Sequence, residues 1–147
     1  MGLFADYMSL LAPPTRAPFD IQRTRRGEDI FRNINCGVCH VPTLMTSPTA
    51  KGVLANKRAD LFSDLLLHKM GRGLDDGVRQ GLGLGEEWRT APLWGLRFRQ
   101  FFMHDGRATR IEDAILAHGG EAQASRDRFQ RMQPQDRNAL LEFLRSL

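Results

Sequence analysis

Apolar residues recur at helical intervals in several stretches of this chain. From Ile21 onward, Ile30, Phe31 and Ile34 share one face, which predicts a helix ending where the first cysteine begins. A second helix is predicted over 109–118, where Ile111, Ala114, Ile115 and His118 fall three or four apart. Thr109 and Glu112 have capping-box spacing at its start, and Gly119 and Gly120 supply its stop. Pro134 opens a last helix, with Leu140, Leu141, Leu144 and Leu147 on one side and Phe143 beside them. A shorter helix is predicted over 59–70, with Leu61, Phe62, Leu65 and Leu66 on its apolar face. No convincing strand alternation occurs, so the expected fold is mostly α.

The intervening segments carry turn chemistry. Residues 1–20 hold Pro13, Pro14 and Pro18 and read as an extended N-terminal arm or linker, leaving one domain over 21–147. Residues 41–60, with Pro42, Pro48 and Gly52, read as loop. Residues 71–85 contain Gly71, Gly73, Gly77, Gly81, Gly83 and Gly85. A phosphate-cradling loop follows a strand and opens a helix; no strand pattern precedes these glycines, so they read as a flexible surface loop.

Composition narrows the function classes. A chain of 147 residues supports one core. No apolar run approaches the roughly 18 residues of a membrane span. The net charge of +4 comes from arginines scattered among acids at 21–32, 107–113 and 121–137. That is a mixed solvated surface with a mild preference for acidic partners, not the basic stripe of a nucleic-acid binder. Two cysteines exclude a disulfide framework and a four-cysteine zinc site. The first 18 residues lack a basic n-region, and Asp6 interrupts their apolar stretch, which makes a poor secretory signal.

Those two cysteines lie in Cys36-Gly37-Val38-Cys39-His40. Thiols three apart at the end of a helical turn reach the two vinyl groups on one side of a porphyrin and form thioethers, and the next imidazole coordinates the iron. A thioredoxin-like pair wants a preceding strand and a βαβ context. A zinc site wants two more ligands at short spacing, and His68, His104 and His118 are widely scattered. The motif therefore predicts one covalent haem c with His40 as proximal ligand, in a cytochrome c-like small helical domain wrapped around it. Haem c attachment takes place outside the cytoplasm, so a periplasmic or otherwise exported protein is expected, its signal absent from this chain. For the sixth iron position the candidates are His68, Met70, Met103, His104 and His118, among which spacing does not choose.

Five stretches in order carry a wider resemblance: CGVCHVPTL (36–44), SDLLLHKMG (63–71), WRTAPLWGL (88–96), HDGRA (104–108) and EDAILAHGGEA (112–122). Over nearly all of 4–147 the chain resembles the C-terminal haem domain of di-haem oxidoreductases, including the thiol-oxidoreductase-like group. These are relatives of bacterial di-haem cytochrome c peroxidases and of methylamine-utilisation di-haem enzymes. In the peroxidase relatives, a segment like the one at 88–96 leads to a turn like that at 102–106. A helix then delivers a methionine to the iron, and His118 stands at that position. The resemblance thus implies His40/His118 ligation, with Met70 as the alternative, and a lower potential than a thioether would give.

The same resemblance suggests that Pro92, Leu93 and Trp94 line the haem face. Arg89 and Arg107 could pair with propionates, and His104 orders a turn rather than touching iron. Family enzymes carry a second, N-terminal haem domain where peroxide or substrate chemistry is thought to occur, and this chain has a single Cys-x-x-Cys-His. The expected function is single-electron transfer, with a redox partner protein or that N-terminal haem domain as partner. The alternatives are a catalytic peroxidase or thiol-oxidase type of haem enzyme, and a haem subunit docking on a separate catalytic subunit.

Overall fold

In the computed structural model, which describes residues 2–17 and 20–147, two long helices cross at the centre. They are α2 (Ile21–Asn33) and α5 (Pro134–Ser146). Asp20 starts α2 by accepting the Gln22 and Arg23 N–H groups on its carboxylate, and Pro134 starts α5, where a missing N–H costs nothing. The crossing needs Gly27, because a Cβ there would lie 2.1 Å from the Ala139 carbonyl oxygen. Glycine inside a helix costs about 1 kcal/mol in propensity. The close approach it permits buries Phe31, Leu140, Phe143 and Leu144. Each such side chain contributes roughly 1.5–3 kcal/mol on leaving water. Phe31, Phe62 and Phe143 form an aromatic cluster, with ring centroids 5.4 to 6.1 Å apart.

Three further α-helices occur among the described residues: α1 (Gly2–Ser9), α3 (Ile111–Ala117) and α4 (Gln123–Gln130). Helix α1 lies where the sequence suggests an extended arm. It buries no residue, and Pro18 lies outside the described residues. The arm returns to the core at Ala17, whose N–H reaches Ser146 O at 3.0 Å. The N-cap position of helix α3 is Arg110, not Thr109, with no side-chain cap hydrogen bond, and Glu112 pairs with Arg110 and Arg137. Helix α4, rich in arginine and glutamine, anchors itself through the fully buried Phe129.

The expectation of a mostly α fold is corrected to a mixed one. Strands β1 (Leu44–Met45) and β2 (Arg58–Ala59) pair antiparallel, as do β3 (Leu67–Lys69) and β4 (Glu87–Arg89). In the second pair His68 lies opposite Trp88. The helix expected over 59–70 is absent for a physical reason. Phe62 and Leu65 take left-handed backbone conformations (φ 55° and 62°), which break an α-helix. The backbone of this stretch bonds instead to residues 87–93, with Leu93 N–H on Leu61 O and Thr90 N–H on Leu66 O. Buried Ser63 fastens the corner by donating to Thr90 O and accepting from Leu65 N–H.

The glycine-rich stretch after β3 does follow a strand, yet it leads into β4 and not into a helix, so the phosphate-loop context is still missing. It is tethered at Leu74, which is buried and whose carbonyl accepts the Trp88 indole N–H at 2.8 Å, and at Gly73, whose carbonyl accepts from Arg107 at 2.7 Å. No described helix is long and apolar enough to cross a membrane.

Candidate functional site

Helix α2 is capped at Ile34, and Asn35 turns the chain through the left-handed region (φ 71°) into a short 3-10 turn, Cys36–Val38. Asparagine tolerates this conformation better than most residues. The turn sets both cysteines and His40 at the edge of the core, with Cys36 packed against it and the His40 N–H on Cys36 O at 3.0 Å. Burial is the main force raising both thiols, pushing Cys36 up to about 12; Cys39 is raised further by Asp64 and Glu121. Redox-active and metal-binding cysteines need depressed values, so these raised thiols do not favour thiolate chemistry.

The imidazole of His40 faces that of His118, with ring centroids 6.5 Å apart and planes tilted by 48°. Each ring is fixed by its Nδ1. That of His40 donates to Phe62 O at 3.0 Å, and that of His118 to Ala114 O at 2.7 Å. A carbonyl can only accept, so both Nδ1 atoms carry the proton and both Nε2 atoms keep a free lone pair. Burial is the first cause lowering His40 to about 4, against the Phe62 hydrogen bond, and burial likewise lowers His118. Both rings are therefore neutral near pH 7. Two metal–nitrogen bonds of about 2 Å, plus roughly 1 Å from Nε2 to each ring centre, span about 6 Å. The observed spacing fits one metal atom held between the rings.

His118 owes its place to the residues that follow it. Gly119 and Gly120 lie against the backbone after β3: a Cβ on Gly120 would stand 2.0 Å from Lys69 O, and one on Gly119 2.7 Å from Met70 O. Glu121 then accepts the Lys69 N–H at 2.9 Å. The glycines that read as a helix stop are thus also the means by which α3 docks on β3.

The remaining candidates separate clearly. His68 bonds Asp64 through Nε2 at 2.8 Å and Glu121 through Nδ1 at 2.9 Å, with Cys39 Sγ 3.7 Å from Nδ1. Carboxylate oxygens only accept, so both ring nitrogens are placed to donate, and the hydrogen bond to Glu121 is the first cause raising the His68 pKa. Cys39, Asp64 and His68 do form a cluster of ligating types, but neither ring nitrogen of His68 offers a lone pair there. His104 stacks on Trp88, centroids 3.7 Å apart and planes 13° off parallel. Met103 takes a left-handed backbone in the turn before it, and Met70 lies at the end of β3 with its N–H on Glu86 O.

Of the residues suggested for the haem surroundings, Leu93 packs on the core, Pro92 accepts a hydrogen bond from Arg99, and Trp94 is half-buried nearby. Arg89 is exposed on β4. Arg107 gives its Nε–H to Asp105 and an Nη1–H to Gly73 O at 2.7 Å. Phe62, Ala114 and Glu121 were missed by sequence reasoning. The first two act through backbone oxygens, which leave no side-chain signature; Glu121 could have been noticed as the one acid directly after His-Gly-Gly.

Against known proteins, residues 4–147 match the family described as "Di-haem oxidoreductase, putative peroxidase". No curated protein matches the chain. Among solved structures, a hydrazine synthase from Kuenenia stuttgartiensis is similar at a TM-score of 0.64 and 19% identity, over 96% of this chain and 52% of that one. The likeness is one of fold, and the chain spans about half the length of that structure.

Proposed function

Since the chain belongs to the di-haem oxidoreductase family, a haem-binding family of oxidoreductases, we propose that it is a c-type haem domain passing single electrons. Cys36 and Cys39 would hold the group by adding their S–H bonds across its two vinyl groups. His40 and His118 would hold the iron through Nε2, with Met70 the alternative to His118. When bound, haem supplies a one-electron iron couple. The protein's own part is to orient two neutral imidazoles and keep water from them. The observation that carries this reading is the facing His40 and His118 rings, 6.5 Å apart, each with its proton fixed on Nδ1 by a carbonyl. Two fixed nitrogen ligands leave little to rearrange when the charge on the metal changes, which suits electron transfer better than substrate turnover.

Haem c attachment requires export, so the domain is proposed to work in the periplasm or beyond. Its electrons would be exchanged with a partner protein or with a second haem domain of the family type. The test is to mature the protein with the haem c attachment machinery, extract it with acid–acetone and weigh it. Colour retained with one extra haem mass supports the covalent link; colourless protein overturns it. A low-spin spectrum indifferent to peroxide supports electron transfer, whereas a high-spin ferric band with prompt peroxide reaction supports the peroxidase alternative. A methionine–iron charge-transfer band in the far red would move the sixth ligand to Met70.

A further inference from the structure

A second site lies at the other end of α3 from His118. A cavity of about 400 Å³ opens between the 3-10 turn Leu96–Phe98 and the start of α3. Arg97, Arg99, Arg110 and Arg145 line it against one carboxylate, Glu112. That carboxylate is already shared by Arg110 at 2.5 Å and Arg137 at 3.2 Å. Arg97, Arg99 and Arg145 make no ion pair among the described residues, and Arg99 gives one N–H to Pro92 O. The Nε of Arg97 is buried without a hydrogen-bond partner among them. An unmet buried N–H beside like charges is costly unless something accepts from it.

Three arginines with no ion pair among the described residues line one cavity, and that excess of positive charge favours an acceptor carrying several negative charges. Guanidinium forks match the geometry of carboxylate and phosphate oxygens, two N–H donors to two oxygens. The cavity falls in the range of small-molecule sites, and Leu96, Phe102 and Ile111 give it an apolar wall. We propose that this cavity binds a small organic or condensed anion bearing two or more carboxylate or phosphate groups, at a site separate from the facing imidazoles.

The test is calorimetric titration of the full haem-bearing protein with citrate and with pyrophosphate, at low and fixed ionic strength. Saturable binding at one site is expected. R97Q and R145Q are each expected to weaken it by about tenfold, the size of one lost charge-assisted contact. E112Q should tighten binding by freeing Arg110, and R128Q, on the exposed end of α4, should leave it unchanged. Arg145 is exposed, so R145Q tests the site without disturbing the core. Unsaturable heats with both probes would overturn the proposal, and so would an R128Q loss equal to that of R145Q, which would mean attraction to net charge alone.

Discussion

Gly120 and the carbonyl of Lys69 approach so closely that a Cβ on the glycine would stand 2.0 Å from that oxygen. Gly120 also has φ 50°, which disfavours any L side chain. G120A is therefore expected to cost about 1–3 kcal/mol. Much of that loss should fall locally on the segment holding His118. Thermal unfolding combined with the Soret spectrum checks this: a lowered Tm accompanied by mixed-spin character is expected, and a Tm loss with an unchanged spectrum would uncouple the contact from His118.

Exchanging the side chain at 118 separates the candidates for the sixth position. H118M should raise the midpoint potential by on the order of 100 mV, within the range that axial ligands command. H118A should give a high-spin spectrum, whereas H68A should stay low-spin because both His68 nitrogens already serve carboxylates. Redox titration and absorption spectra decide. Should M70A, and not H118A, abolish the low-spin state, Met70 is the ligand.

Acid should act late. The unfolded chain takes a proton on histidine near 6.5, while folded His40 resists it to about 4. The His40 contribution to stability is therefore flat above 6.5 and falls as pH drops through that window, because the unfolded state binds more protons there. His118 shifts in the same direction, again through burial. In the haem-bearing protein the same lone pairs are contested by proton and iron. Iron would hold those lone pairs against the proton, so the low-spin spectrum should persist below the pH of about 4 at which the metal-free His40 ring takes up a proton. A spectral midpoint near 6.5 would mean that water reaches the rings.

The aromatic cluster sets the global stability. F143A removes a fully buried ring that contacts Phe31 and Phe62, and is expected to cost about 3–5 kcal/mol. G27A should cost a few kcal/mol, of the order seen on overpacking, by driving α2 off α5. Urea unfolding measures both; a G27A loss below about 0.5 kcal/mol, the level of an ordinary surface change, would mean that the crossing is loose.

The parts legible in the sequence are those governed by neighbours along the chain. Cys36, Cys39 and His40 declare themselves by spacing alone, and the stripe of leucines ending at Leu147 announces α5. The stretch 59–70 misleads because Leu61, Phe62, Leu65 and Leu66 fall at helical spacing. Its conformation is decided instead by Thr90 and Leu93, about thirty residues away, and by the buried hydroxyl of Ser63. Helix α4 was hidden by its charge, since one buried phenylalanine gives no periodicity. The His40–Phe62 contact could not be read at all, because the acceptor is a main-chain atom.

That choice of acceptor has a consequence for how such a protein can diverge. Every amino acid carries a carbonyl, so mutations at 62 and 114 can change the side chain without deleting the oxygen that holds either ring. The orientation of both imidazoles is written into the path of the chain, and lineages can repaint the surroundings while the two rings keep their aim.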